Sequence, residues 1–169
     1  AIEPDNFKKI ILVNPSDINI IKEMPTKETK AAKTILEIPI LGTFIYNLIM
    51  HHKRIRNYIE SKYFFKKTFL SSKLEDTYFE SAHKGNSAGK YLLASTKGNY
   101  VNIDITNAVK KVDNLYIISS RERNNAVAIT EKYLHLNKNI EATYISNSRY
   151  LPQLETPDKF KDIVLMFLQ

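Results

Sequence analysis

Three short runs of apolar residues, rich in β-branched side chains, are spaced along the chain, and polar or turn-forming residues bound each of them. The runs cover residues 8–13, 114–119 and 141–146, and Asn14-Pro15 closes the first. The first two runs do not alternate with polar residues, which is typical of strands buried on both faces of a parallel sheet. The sequence therefore predicts three strands.

The residues between the first two runs follow the helical period almost throughout. Pro39 is expected to end the first helix of this block, and Gly42 to open the second. The predicted helices cover residues 25–36, 42–51, 55–63, 72–83, 87–97 and 104–111.

In the last third of the chain the hydrophobic pattern changes, and predicted strands alternate with predicted helices. A helix is predicted over residues 124–136, ahead of the third strand. Thr156 is a candidate N-cap and Pro157 occupies the first position of a closing helix. One side of this helix carries an apolar stripe of Phe160, Ile163, Val164, Phe167 and Leu168.

The order of these elements predicts an α/β fold. Strands that are separated by helices are joined by right-handed crossovers, so the three strands should form a parallel sheet layered with helices. The helical block is too long for one crossover and should form a large cap insertion. We expect one compact domain made of a core strand and loop (1–16), a helical cap (17–112) and a C-terminal α/β core (113–169).

Composition removes several classes of protein. The 169 residues are 43% hydrophobic and include no cysteine, so disulfides, thiolate metal sites and cysteine nucleophiles are excluded. This fits a reducing compartment, and we expect a cytoplasmic protein. The most apolar stretch, residues 38–50, is shorter than the roughly 20 residues of a membrane span, so no transmembrane segment is predicted.

The formal net charge of +7 raises the question of an anionic partner. The densest basic stretch runs from His51 to Arg56, and the other lysines are scattered. Solvated helix faces explain this distribution, and no nucleic-acid-binding motif is present. Binding of an anionic membrane or a nucleic acid through Lys53, Arg54 and Arg56 stays an alternative. The spacing of the four histidines predicts no metal site, and no cofactor is expected.

Three segments resemble the C-terminal half of an α/β-hydrolase. KKIILVNPSD resembles the strand before the cap, and VKKVDNLYIISSRERNN resembles the strand and loop that often carry the catalytic acid. ATYISNSRYLPQLETPDKFKDIVLMFL resembles the last strand, the histidine loop and the closing helix. The resemblance implies a partial α/β-hydrolase fold with a cap, and it extends over nearly the whole chain.

The resemblance also implies candidate catalytic acids. Glu122 falls where the family often places its acid, and Asp17 falls at the alternative position. A carboxylate at either position would orient an imidazole and stabilise its protonated form. A surface ion pair for Glu122, between Arg121 and Arg123, and a helix cap for Asp17 are the structural alternatives.

The chain departs from the family pattern at two points. Tyr150 stands where the family places the catalytic histidine, and the segment that presents the nucleophile would precede Ala1. The resemblance thus implies the cap and C-terminal half of a hydrolase of small apolar esters or acyl compounds, with its nucleophile outside this chain. The alternative is a non-catalytic binding or interaction protein that keeps the fold.

Ser87 lies in a literal G-x-S-x-G pattern, Gly85-Asn86-Ser87-Ala88-Gly89. In a hydrolase this pattern forms a turn from an apolar strand into a helix, whereas here a polar, helix-like stretch precedes it. We therefore interpret it as a loop between two cap helices. An internal triad of Ser87, Asp104 or Glu122, and His135 is the alternative.

The first predicted strand also suggests a partner. Without a preceding half of the fold, Lys9–Val13 would be an apolar sheet edge with unpaired backbone groups. We expect it to pair with another chain or with the missing N-terminal half, and we expect a homo-oligomer.

Overall fold

The structure is a computed structural model that describes residues 8–169. It contains a parallel three-stranded sheet of β1 (Ile10–Val13), β2 (Leu115–Ser120) and β3 (Glu141–Ile145), in the order β1-β2-β3. Leu12 is opposite Ile117 in the first pair, and Ile118 is opposite Thr143 in the second. The predicted parallel sheet is therefore confirmed.

The central strand β2 is buried along all six of its residues. The expectation of burial on both faces is wrong for β1, because Ile10, Ile11 and Leu12 are only half-buried and Val13 is 37% exposed. Within the described residues β1 has a neighbouring strand on one side alone, which leaves it less covered than β2.

The predicted helices occur in the predicted order with small shifts at their ends, and two short helices, Ile18–Ile21 and Pro152–Glu155, were not predicted. Before β2 lie α1 to α7, with a short 3-10 turn at Lys67–Phe69, and after it lie α8 to α10. Their bounds are Ile18–Ile21 (α1), Lys27–Glu37 (α2), Pro39–Ile49 (α3), His52–Lys62 (α4), Ser72–His83 (α5), Gly89–Lys97 (α6), Thr106–Lys111 (α7), Ala126–Leu136 (α8), Pro152–Glu155 (α9) and Pro157–Leu168 (α10).

The start of α3 differs from the prediction, since the helix begins at Pro39 and not at Gly42. Proline suits the first helical position, where an N–H would have no partner inside the helix. Gly42 serves a different purpose, because a Cβ there would lie 1.9 Å from the carbonyl oxygen of Leu36. The glycine permits α2 and α3 to meet closely at a bend of 97°.

In the described part of the chain, no single helix is long and apolar enough to cross a membrane. The bent pair of α2 and α3 meets the length and composition of a span when the two helices are taken together.

Helices cover both faces of the sheet. On one face, Ile117 packs with Ile129 and Tyr133 of α8. On the other, Tyr116 and Ile118 of β2 pack against α10, the helix with the predicted apolar stripe. The Tyr116 and Phe167 rings stack with their centroids 4.6 Å apart. The predicted layering of helices on a parallel sheet is therefore confirmed.

The chain forms two compact units. One comprises residues up to 22, residues 62–66 and residues from 104 onward, and it contains the sheet. The other comprises residues 23–61 and 67–103, and it contains α2, α3, α5, α6 and most of α4. The domain boundaries predicted after residues 16 and 112 stay a prediction.

Candidate functional site

The carboxyl ends of the three strands meet at one edge of the sheet, where parallel α/β folds bind their ligands. Three loops lie there: the one that follows β1 from Asn14, the one that follows β2 from Arg121, and the one that follows β3 from Ser146. Both candidate acids, Glu122 and Asp17, lie in these loops, and so does Tyr150.

Asn14, which directly follows β1, connects the end of β2 with the loop after β3. Its own N–H donates to Ile118 O at 2.8 Å, and its Oδ1 accepts from the N–H of Ser120 at 2.7 Å. Its Nδ2 donates to Ser120 Oγ and to Tyr150 O, each at 3.0 Å. The backbone of Asn14 has φ 48°, a conformation that asparagine tolerates better than most residues.

Two buried serines stand at the same edge of the sheet. Ser120 and Ser148 are both fully buried, and their hydroxyl oxygens lie 2.6 Å apart in a mutual hydrogen bond. A hydroxyl in this position is shielded from substrate and holds the loop after β3 against β2. Neither serine is therefore placed to act as a nucleophile.

Glu122 reaches the loop where the family resemblance places the histidine. Its Oε1 accepts from the backbone N–H of Asn147 at 2.9 Å, and its Oε2 accepts from that of Ser148 at 3.3 Å. Among the described residues, no imidazole is hydrogen-bonded to this carboxylate. Glu122 thus meets the expected loop, but it binds that loop through main-chain amides.

Tyr150 lies beside a buried guanidinium group. The Cζ atom of Arg123, a residue only 7% exposed, lies 5.1 Å from the centroid of the Tyr150 ring, and Arg123 Nη1 donates to Pro15 O at 2.7 Å. In the described part of the chain, no carboxylate lies within ion-pair distance of Arg123. The aromatic face therefore offsets part of the cost of burying this charge.

Glu155 is a site residue that the sequence did not reveal. Its side chain is buried, and its two oxygens accept from the N–H of Phe65 at 2.6 Å and from the N–H of Arg149 at 2.7 Å. It anchors residues 62–66 to the loop after β3, and Tyr150 N donates to Tyr63 O beside it. A glutamate after Leu-Pro gives no local signal of this long-range role.

Asp17 is the N-cap of α1. It accepts from the N–H of Asn19 at 2.9 Å and pairs with Lys132 Nζ at 2.6 Å. The hydrogen bond from Lys132, with the Asn19 amide adding to it, lowers the pKa of Asp17 from its usual value. The structure therefore gives Asp17 the capping role that the sequence offered as the alternative to catalysis.

Ser87 lies in a turn between α5 and α6, with no strand before it. The residue is buried, and its Oγ donates to Asn47 Oδ1 at 3.0 Å. The local structure accounts for both glycines of the pattern. Gly85 has a positive φ of 78°, and a Cβ on Gly89 would lie 2.3 Å from the hydroxyl oxygen of Tyr46.

Asp104 and His135 are two further members of the alternative triad. Asp104 accepts from the N–H of Thr106 at 2.9 Å, and His135 is an exposed residue of α8. In the described residues Ser87 has no hydrogen bond to a histidine. No group of three or more potential metal ligands is present in residues 8–169.

No family model matches the chain, and no curated protein matches its sequence. Its structure is similar to solved ones, among them Cfl2 from Burkholderia cenocepacia, with 12% identity over 98% of this chain and 58% of that one, at TM-score 0.67. MGS-M2, an α/β hydrolase from a deep-sea metagenome library, matches with 15% identity over 98% and 57%, at TM-score 0.61. The epoxide hydrolase CorEH matches with 13% identity over 95% and 58%, at TM-score 0.64.

These similarities define the fold. The chain has the C-terminal part of the α/β-hydrolase fold together with a helical cap, which confirms the resemblance seen in the sequence. It spans a little more than half the length of the solved structures that it matches.

Asn14→Asp should destabilise the protein. Aspartate tolerates the positive φ but cannot donate to Ser120 Oγ and Tyr150 O, so we expect the free energy of unfolding to fall by about 1–3 kcal/mol or more. Urea denaturation at neutral pH measures the change. Asn125→Asp is the matched control, because Asn125 is exposed and also has a positive φ of 58°. Equal losses in the two variants would contradict the role given to Asn14.

Asp17→Asn should remove a pH-dependent contribution to stability. Asparagine keeps the N-cap but loses the pair with Lys132, so the variant should be less stable at neutral pH by at most about 1 kcal/mol. Because the pKa of Asp17 is lowered, this difference is complete above the ordinary value of 3.8 and vanishes as pH falls through the folded value. Urea titrations across this range measure it, with exposed Asp113→Asn as the control. A difference that is constant with pH would refute the assignment.

Proposed function

We propose that this chain forms the cap and C-terminal core of an α/β-hydrolase-type protein that acts on small apolar esters or acyl compounds in the cytoplasm. The observation that carries the proposal is the structural similarity, which extends over nearly the whole chain and over more than half of each solved structure. In this proposal the nucleophile and the histidine come from outside the chain.

Glu122 is the residue of this chain that would take part in catalysis. Each of its carboxylate oxygens accepts one backbone N–H, which leaves acceptor capacity on both, since a carboxylate has about four acceptor positions. The two amides hold the carboxylate in place, and its free lone pairs would accept an imidazole N–H presented from elsewhere. That interaction would orient the base and stabilise its charged form.

A second candidate function is non-catalytic binding on the same fold. The arrangement of Tyr150 and Arg123 favours it, because an aromatic ring and a buried guanidinium occupy the position where the resemblance implies a histidine. A tyrosine lacks the imidazole that takes the proton from serine and returns it to the leaving group in a catalytic triad. In this version, the loops at the carboxyl ends of the strands bind a ligand or partner without reacting with it.

The edge of β1 is the proposed place of assembly. The N–H groups of Ile10 and Asn14 donate toward β2, so the alternation of a parallel ladder directs the backbone groups of Ile11 and Val13 away from it. A further strand, from a second copy or from the N-terminal half of such a fold, would satisfy them. We propose that this edge makes the chain a dimer or larger.

The 169-residue chain alone should not hydrolyse p-nitrophenyl esters above the buffer rate, because residues 8–169 place no nucleophile in hydrogen-bond contact with a histidine. Ser87→Ala is the matched control. Turnover that this variant abolishes would overturn the proposal in favour of the internal triad.

The natural gene product that carries this chain should hydrolyse acyl esters and react with a fluorophosphonate probe. If it is inert toward both, the non-catalytic function replaces the hydrolase.

Val13→Pro should weaken self-association. Proline removes an N–H that does not face β2, and prolines are accepted on edge strands for that reason. Sedimentation velocity at micromolar concentration should show a dimer or larger for the unaltered chain and a shift toward monomer for the variant. Val13→Thr, which keeps the N–H, is the control and should behave like the unaltered chain. A monodisperse monomer in all three would count against the proposed edge.

A further inference from the structure

Helix α3 exposes an apolar ridge. Ile40, Phe44 and Leu48 follow one another at four-residue intervals, so they lie on the same side of the helix. Their exposed fractions are 87%, 61% and 48%, and the helix contains no charged residue. Ordinary surface helices carry polar residues on their outer side, which makes this ridge a candidate interaction surface.

The opposite side of α3 is fixed by packing within its own unit. Gly42 and Tyr46 are buried there, and the Tyr46 hydroxyl donates to Ala82 O. The buried Lys90 donates from its Nζ to Pro39 O at 3.1 Å and to Thr43 Oγ1 at 2.9 Å. The ridge is therefore the outer side of an anchored helix.

Unpaired cations follow the ridge directly along the chain. Lys53 and Arg54, in the first turn of α4, are both exposed, and no carboxylate lies within ion-pair distance of either in the described residues. The neighbouring basic residues differ, because they have acidic partners. His52 lies 2.7 Å from Glu75 and 3.2 Å from Asp76, and Arg56 lies 3.2 Å from Glu60. The charge without a counterion in the chain directly after α3 is thus positive.

We propose that α3 and the first turn of α4 dock on an anionic lipid bilayer. The apolar ridge would enter the boundary between head groups and acyl chains, while Lys53 and Arg54 contact lipid phosphates and carboxylates. An apolar helix face next to free basic residues has the chemistry of an interfacial anchor. The charge complementarity selects this occupant over a neutral partner surface. The proposal does not depend on hydrolysis, and its test measures no activity.

Co-sedimentation of the full chain with vesicles tests the docking surface. We expect binding to phosphatidylcholine vesicles that contain about a third phosphatidylserine, weak binding to pure phosphatidylcholine, and a decline in binding as salt rises. The double variant Lys53→Ser/Arg54→Ser should lower the partition coefficient about tenfold or more. Ile40→Ser/Phe44→Ser should lower it on both kinds of vesicle.

Matched controls separate this surface from the overall charge and hydrophobicity. Lys110→Ser/Lys111→Ser removes two exposed cations at the end of α7, and Val127→Ser removes an apolar side chain that is 52% exposed. Both should bind as the unaltered chain does, and circular dichroism should show that every variant is folded. The proposal is overturned by absence of binding to anionic vesicles at low salt, or by equal losses in the controls. Self-association that Ile40→Ser/Phe44→Ser removes, without any vesicle binding, would assign the ridge to a protein partner and also overturn it.

Discussion

The side chain of Asn14 is the constraint on which the carboxyl edge of the sheet depends. One amide group accepts from the backbone of Ser120 and donates both to the Ser120 hydroxyl and to the carbonyl of Tyr150. The loop after β1 is thereby fixed to the end of β2 and to the loop after β3, which lie 106 and 136 residues further along the chain. A residue at this place needs a donor, an acceptor and tolerance of positive φ, and asparagine combines all three.

Two glutamates also stabilise this edge of the sheet, and both bind main-chain amides. Glu122 and Glu155 each bind two backbone N–H groups, three of which belong to the loop after β3. Carboxylates that hold a loop through its backbone do not depend on the side chains that the loop carries. The fold can therefore keep the loop after β3 in place whether or not that loop carries a histidine, which explains how the architecture persists with Tyr150 there.

Hydrophobic period and turn chemistry sufficed to predict the strands, most of the helices and the parallel layering, because these depend on local pattern and on the burial of β2. The start of α3 was missed because Gly42 looks like a boundary, whereas it marks the close approach of Leu36. The site was harder to predict. The side chain of Asn14 has partners 106 to 136 residues away, and Glu155 has one 90 residues away; nothing in their neighbours along the chain indicates those partners. Glu122 was predicted as a candidate acid from the family resemblance, which supplied its position but not its amide partners.

The departure from the hydrolase pattern involves two residues rather than one. Arg123 is buried without a carboxylate partner in the described residues, and the ring of Tyr150 is one of the few favourable contacts for its charge. A histidine at position 150 would put an imidazole beside that guanidinium, and a nearby positive charge disfavours the protonated form that a catalytic histidine must reach. The tyrosine and the arginine are therefore physically coupled, and a histidine in place of the tyrosine would lose the aromatic contact to the guanidinium and meet its charge instead.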